Sequence, residues 1–187
     1  MNDQTGCAST YSNRARRFVT PWHVSVAAEA IAAAQFARIG WDVSVQYGAN
    51  QPGYDLVVVD GIKIMKVSVK GSQDGSWGLT QSLMRNADYQ KAADDWFRKN
   101  ESIITFLIQF KETKLDELPR MYLATALEVS AQLKKSAAGR GDSILYEYHH
   151  WGPRAKAAGT IDSVPEHWRF SSERVDSVWT AISHQTR

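Results

Sequence analysis

The chain has 187 residues, 43% of them apolar and 22% charged, with a formal net charge of +2. This is the balance of one ordinary globular domain, and a charge so small argues neither for nor against a polyanionic partner. Cys7 is the only cysteine, which excludes an intrachain disulfide and a cysteine-rich zinc site and favours a reducing, cytoplasmic location. No apolar run approaches the ~20 residues that cross a bilayer, and the first twenty residues lack a signal-type apolar core.

Residues 1–19 are polar and end in a basic run containing Arg14, Arg16 and Arg17. They read as a mobile arm ahead of a single domain over residues 20–187. Thr20-Pro21 is a helix start, threonine as the cap and proline at the first position, and Gly40 is the stop. At ~100° per residue, Glu29 shares a side with Ser25, Ala32, Ala33 and Phe36, with Gln35 and Arg38 opposite. A glutamate on an alanine-lined face is either buried beside a partner or solvated at the face's rim.

Residues 41–47 alternate as a strand, and residues 48–53 form a loop on turn chemistry. The next stretch, residues 54–70, is a β-hairpin. Asp60-Gly61 as a two-residue turn would pair Val59 with Ile62, Val57 with Ile64 and Asp55 with Lys66. Asp55 would then share a face with Lys66, Ser68 and Lys70, while Leu56, Val58, Met65, Val67 and Val69 form the other. Apolar residues on both faces predict central strands covered by helices on each side.

Residues 71–78 are small and polar and read as an exposed loop that includes Trp77. A helix is expected over 86–99, strands over 102–110 and 121–124, a helix over 127–136 and a strand over 143–149. Residues 151–165 read as loop with Arg154 and Lys156 exposed, and Ser171 or Ser172 caps a last helix. This order predicts an α/β fold. His149 and His150 are adjacent and would point to opposite faces of a strand, so they are a poor metal pair. Lys134, Lys135 and Arg140 form a basic cluster at a helix end, where the dipole favours them without any ligand.

A helix bearing Glu29, a strand opening with Tyr54-Asp55, a glycine turn, and a strand ending Val67-Ser68-Val69-Lys70 together resemble the core of the PD-(D/E)XK nuclease superfamily, as found in restriction-endonuclease-like and resolvase-like members. The match runs over about residues 24–71. The resemblance implies a restriction-endonuclease-like core, a mixed central sheet flanked by helices on both faces. It also implies hydrolysis of DNA phosphodiesters with Mg²⁺ or Mn²⁺, hard cations suited to oxygen ligands. Asp55 would bind the metal directly, Glu29 directly or through water, and the carbonyl of Val69 would complete the sphere. Lys70 would orient or deprotonate water, or stabilise developing charge.

Ser68 stands where the family usually has a carboxylate or glutamine. Either Asp74 or Asp88 substitutes for it, or Asp55 and Glu29 suffice for one metal, or the chain keeps the fold as a catalytically inactive DNA-binding or protein-interaction module. Lys66 is an alternative to Lys70, because the simple hairpin register sets it opposite Asp55. Many nucleases of this class are homodimers, since two strands must be cut.

Overall fold

The computed structural model describes residues 18–46 and 53–185. Most of the N-terminal arm therefore lies outside the described residues, as does the end of the first predicted strand.

Helix α1 spans Pro21–Arg38. Thr20 accepts a hydrogen bond from the His23 backbone N–H, and the His23 side chain accepts one from the Thr20 N–H, a capping box with histidine in the usual acidic place. Gly40, at φ +89°, lets the chain reverse after the helix. The buried stripe is Val24, Ala28, Ala32, Gln35 and Phe36. It is rotated from the expected face: Gln35 is buried, whereas Ser25 is exposed and Glu29 sits half-buried at the margin. Ala28, Ala32 and Phe36 at intervals of four form the true contact line, which Val24 extends.

Five strands form one mixed sheet in the order β1-β2-β3-β5-β6. They are β1 (Asp42–Val45), β2 (Leu56–Asp60), β3 (Lys63–Ser72), β5 (Ile103–Gln109) and β6 (Arg120–Ala124). Among the described residues of this sheet, only the β3 and β5 pair is parallel. The crossover between them contains a short strand β4 (Ser76–Gly78) and helix α2 (Tyr89–Asn100), as a parallel connection requires. Helix α3 (Ala126–Lys135) lies beside α2, and α4 (Ser172–Gln185) closes the chain. Leu56, Val58, Met65, Val67 and Val69 pack with Phe36 of α1 and Val175 and Val178 of α4. On the other face, Leu107, Tyr122 and Ala124 pack with Ala93 and Trp96 of α2 and Leu133 of α3. The fold is α/β, a mixed central sheet with helices on both faces, as the sequence implies.

Four local expectations are corrected. The hairpin pairs Asp60 with Lys63, Val57 with Lys66 and Leu56 with Val67. The two loop residues are thus Gly61 and Ile62, with glycine first at φ +58°, the position where a two-residue turn most needs it. Asp60 stays in the strand and faces Lys63 at 3.4 Å. The residues after Lys70 are not all loop: β3 runs on to Ser72, and β4 pairs with β7 (Ile144–Tyr146). Trp77 is therefore core, 3% exposed. The predicted strand over 143–149 is broken in two, and its second part, β8 (Tyr148–His150), pairs with β9 (Ile161–Ser163) inside the predicted loop. Helix α2 starts only at Tyr89, because Asn86 and Ala87 have positive φ (51° and 57°).

Among the described residues, no helix is long and apolar enough to cross a membrane.

Candidate active site

The site begins where β2 meets β3. Continuing the ladder one step beyond Leu56↔Val67 would set Asp55 opposite Ser68. Instead the Asp55 N–H donates to the Val67 carbonyl at 2.9 Å, and the Asp55 carbonyl accepts from the Gln46 N–H at 2.8 Å. Two β2-side residues thus engage Val67, the signature of a bulge. The Asp55 side chain then does what the next carbonyl would have done: Oδ2 accepts the Val69 N–H at 2.6 Å. A backbone N–H of a strand lies in the sheet plane, so the carboxylate lies along the sheet's edge rather than upright on one face. A charge-assisted bond of this length holds it firmly.

Alternate residues of a strand direct their N–H and C=O groups to the same side. The Val67 carbonyl is bound by Asp55, so the Val69 carbonyl, two residues on, is aimed to the Asp55 side as well.

Lys70 follows on β3, exposed, and its carbonyl accepts from the Trp77 indole Nε1–H at 2.9 Å. Gly71 explains how α1 comes so close. A Cβ built there would lie 2.9 Å from Ala28 Cβ, Val24 Cγ1 and the Val24 carbonyl oxygen, so only glycine admits the helix to this part of the strand. Glu29 follows Ala28 and is carried to the same place. Burial raises the Glu29 carboxyl above its ordinary value; the Asp55 charge raises it further and the Lys70 charge opposes this. Three charged groups from α1, the β2 entry and β3 therefore share one electrostatic neighbourhood. Lys70 also borders a cavity of about 260 Å³ with Val24, Ser25, Asp74 and Trp77.

Ser68 differs from these three. It is 5% exposed and aligned with Thr105 across the β3 and β5 pair, on the same face of β3 as Lys70, which is aligned with Leu107. It brings no charge to the group. Lys66 does not face Asp55; it is exposed, opposite Val57, with Nζ 5.5 Å from the centre of the Tyr54 ring. Asp88 caps α2, accepting the Lys91 N–H at 2.9 Å. Asp74 Oδ1 accepts from Ser72 Oγ, the Ser76 N–H and Ser76 Oγ at 2.9–3.0 Å. Burial works against its charge, but these bonds outweigh it and hold the carboxyl below its ordinary value.

No protein-family model matches the chain, and no curated protein matches it. One solved structure similar to it is the bacterial homing endonuclease I-Ssp6803I. The identity is 16%, the TM-score 0.47, and the match covers 90% of this chain and 98% of that one.

Sequence reasoning missed the parts that brace this edge. Trp77 holds the Lys70 carbonyl, and Gln109, fully buried on β5, donates to Ser72 Oγ at 3.1 Å and accepts the Lys111 N–H. A single polar residue ending the apolar run of residues 103–108 was the available signal for Gln109. For Trp77, a three-residue strand is too short for alternation to show.

The crowding at Glu29 has a measurable consequence. A carboxyl raised in the folded state stabilises the fold most below its unfolded value, near 4.5, and that contribution is lost as pH rises through the folded value. In EDTA, Glu29→Gln is expected to raise Tm at about pH 8, with the gain shrinking to nothing near pH 4, where both side chains are neutral. Thermal melts across that range check it, and a Tm gain independent of pH would contradict the shared neighbourhood.

Proposed function

We propose that the chain is a divalent-metal-dependent DNA endonuclease acting through Glu29, Asp55 and Lys70. The observation that carries the reading is the Asp55 carboxylate fixed on the Val69 N–H, one residue before Lys70, where Gly71 admits the helix that bears Glu29; the order and elements are those of the PD-(D/E)XK nucleases that the motif resembles.

The donor set fits one hard cation. Among the described residues there is no cluster of three or more His, Cys, Asp or Glu; the site offers two carboxylates. Mg²⁺ characteristically takes one or two carboxylates and fills its other positions with water and phosphate oxygens. Asp55 and Glu29 would hold it, with the Val69 carbonyl aimed to the same side. When bound, the ion would neutralise charge on the phosphate and lower the pKa of water.

The chain's own residues have separable tasks. The Val69 N–H fixes the Asp55 carboxylate, so little is lost in ordering it at the moment of reaction. Lys70, anchored through its carbonyl by Trp77, presents an ammonium that can orient water or offset charge on the phosphate oxygens. Ser68 supplies no ligand charge. That favours a second reading, a nuclease fold retained for binding without cleavage.

The test is an assay of the full chain on plasmid, linear and branched duplex DNA with Mg²⁺ or Mn²⁺. Cleavage that EDTA stops and that Lys70→Ala slows by roughly 10²- to 10⁴-fold is the expected result. Retention of DNA with no cleavage under any of these conditions supports the binding module. Neither binding nor cleavage overturns both readings.

A further inference from the structure

Strands β8 and β9 form a two-stranded ribbon apart from the main sheet, with Tyr148 opposite Ser163, His149 opposite Asp162 and His150 opposite Ile161. Its inner side is tied down. Asp162 Oδ2 accepts the Ala137 N–H at 2.9 Å and the Trp151 indole Nε1–H at 2.7 Å, and Gln132 Nε2 donates to the Ser163 carbonyl at 3.0 Å. These bonds fasten the ribbon to the C-terminal end of α3.

The outer side is open to solvent. Tyr148 is 65% exposed and Ile161 54%, and His150 between them is exposed as well. The connecting loop carries Arg154 and Lys156, both exposed, and neither makes an ion pair among the described residues. Residues 148–161 contain these two cations, two histidines and no carboxylate. Asp162, which follows this stretch, is turned inward and already holds two donors. Arg140, also exposed, lies across the Trp151 ring at 5.6 Å, but it is paired with Asp142 at 3.6 Å and adds no free charge to the loop.

The loop is ordered by its own bonds. The Trp151 N–H donates to the Thr160 carbonyl and the Gly159 N–H to the Trp151 carbonyl, at 3.0 and 3.1 Å, and Ala157 is buried. A cationic loop held in one shape loses little entropy when it binds. The ribbon is also rooted at the candidate site. Immediately before β8, the Glu147 N–H donates to the Gly75 carbonyl at 2.9 Å, in the segment that joins Lys70 to Trp77.

We propose that the β8–β9 ribbon is a DNA-gripping arm whose Arg154 and Lys156 neutralise backbone phosphates of the duplex lying across Lys70. This rests on the reading of the chain as one that acts on DNA. A loop with two unpaired cations and no carboxylate of its own suits a polyanion, and a two-stranded ribbon fits the ~12 Å major groove of B-DNA. Phosphate contacts of this kind position the protein without reading bases.

The experiment is equilibrium binding of the full chain to a fluorescent 30-base-pair DNA duplex in EDTA, from about 50 to 200 mM KCl. Each phosphate neutralised contributes about 0.9 to the slope of log affinity against log salt. Arg154→Ala/Lys156→Ala is expected to lower the slope by about 1.8, so that its affinity falls about twelvefold less than the wild type's over that salt range. The Tm should be unchanged, since neither side chain has an ion-pair partner to lose. Equal affinity and slope in the double variant overturn the arm while leaving the DNA reading intact. Wild-type protein that does not bind the duplex overturns the DNA reading itself, and preference for a matched RNA duplex overturns the choice of partner.

Discussion

Asp55→Asn is expected to fold as the wild type does and to cleave DNA on the order of 10³-fold more slowly. The two properties separate because Asp55 has two tasks. Its Oδ2 accepts the Val69 N–H at 2.6 Å, and an asparagine carbonyl oxygen of nearly the same shape can accept that bond too. What the substitution removes is the negative charge beside Glu29. Cation binding should weaken with it, and the Glu29 carboxyl should fall back toward its ordinary range, since the Asp55 charge is one of the two causes that raise it. Asp55→Ala also strips the Val69 N–H of its acceptor. At this half-buried position the further cost is about 1 kcal/mol, read as a lower midpoint in urea for Ala than for Asn. Single-turnover cleavage with Mg²⁺ and urea melts of the three proteins check both halves. Wild-type cleavage by Asp55→Asn would remove Asp55 from the chemistry.

Much of the framework was legible because local rules carry it. Thr20, Pro21 and Gly40 mark α1, and the apolar runs mark the central strands within a residue or two of their observed limits. The hairpin register was not legible, since Asp60-Gly61 and Gly61-Ile62 are both feasible two-residue loops and the choice depends on what flanks them. A shift of two leaves every side chain of the regular ladder on its expected face while changing its opposite number, which is why Lys66 no longer faces Asp55. The bulge at Asp55 is a tertiary event: the side chain replaces a carbonyl only once Val69 lies beside it. The expected face of α1 lies about one position out because it is centred on Glu29, which sets Gln35 opposite, whereas Gln35 accepts a hydrogen bond from Arg38 at 3.1 Å and so is buried with a partner. The grouping of Glu29 with Lys70 depends on Gly71, which sequence reasoning passed over as the start of a loop. The β8–β9 ribbon was hidden because its strands are three residues each and its glycines and proline read as loop.

Outside the group of Glu29, Asp55 and Lys70, Arg174→Ala is expected to destabilise the protein by about 3 kcal/mol. Arg174 is 8% exposed. Its Nη2 reaches Glu128 Oε1 and Oε2 at 2.8 and 2.7 Å, and its Nε donates to the Leu123 carbonyl at 2.9 Å. One side chain therefore ties α4 to β6 and to the first turn of α3. Glu128 meanwhile accepts the Thr125 N–H and hydroxyl at 2.8 and 3.0 Å, completing the capping box of that helix. Truncating the arginine leaves a largely enclosed carboxylate and a buried carbonyl without their partner, and the 29% exposure of the Glu128 side chain keeps the loss at the lower end of the range for buried pairs. The loss should depend on pH in a definite direction. Burial pushes the Glu128 carboxyl up, but Arg174 and Thr125 outweigh it and hold the group below its ordinary value of 4.5. The stabilisation is then complete above that value and is lost as pH falls through the depressed one. The wild-type and Arg174→Ala melting curves should lie farthest apart near neutrality and converge as pH falls well below 4.5. Curves that stay parallel across that range would show that Arg174 acts by packing its stem and binding Leu123 alone, without the ion pair. Since α4 approaches the sheet from the α1 side but joins neither Glu29, Asp55 nor Lys70, DNA cleavage by the folded fraction of this variant should match the wild type.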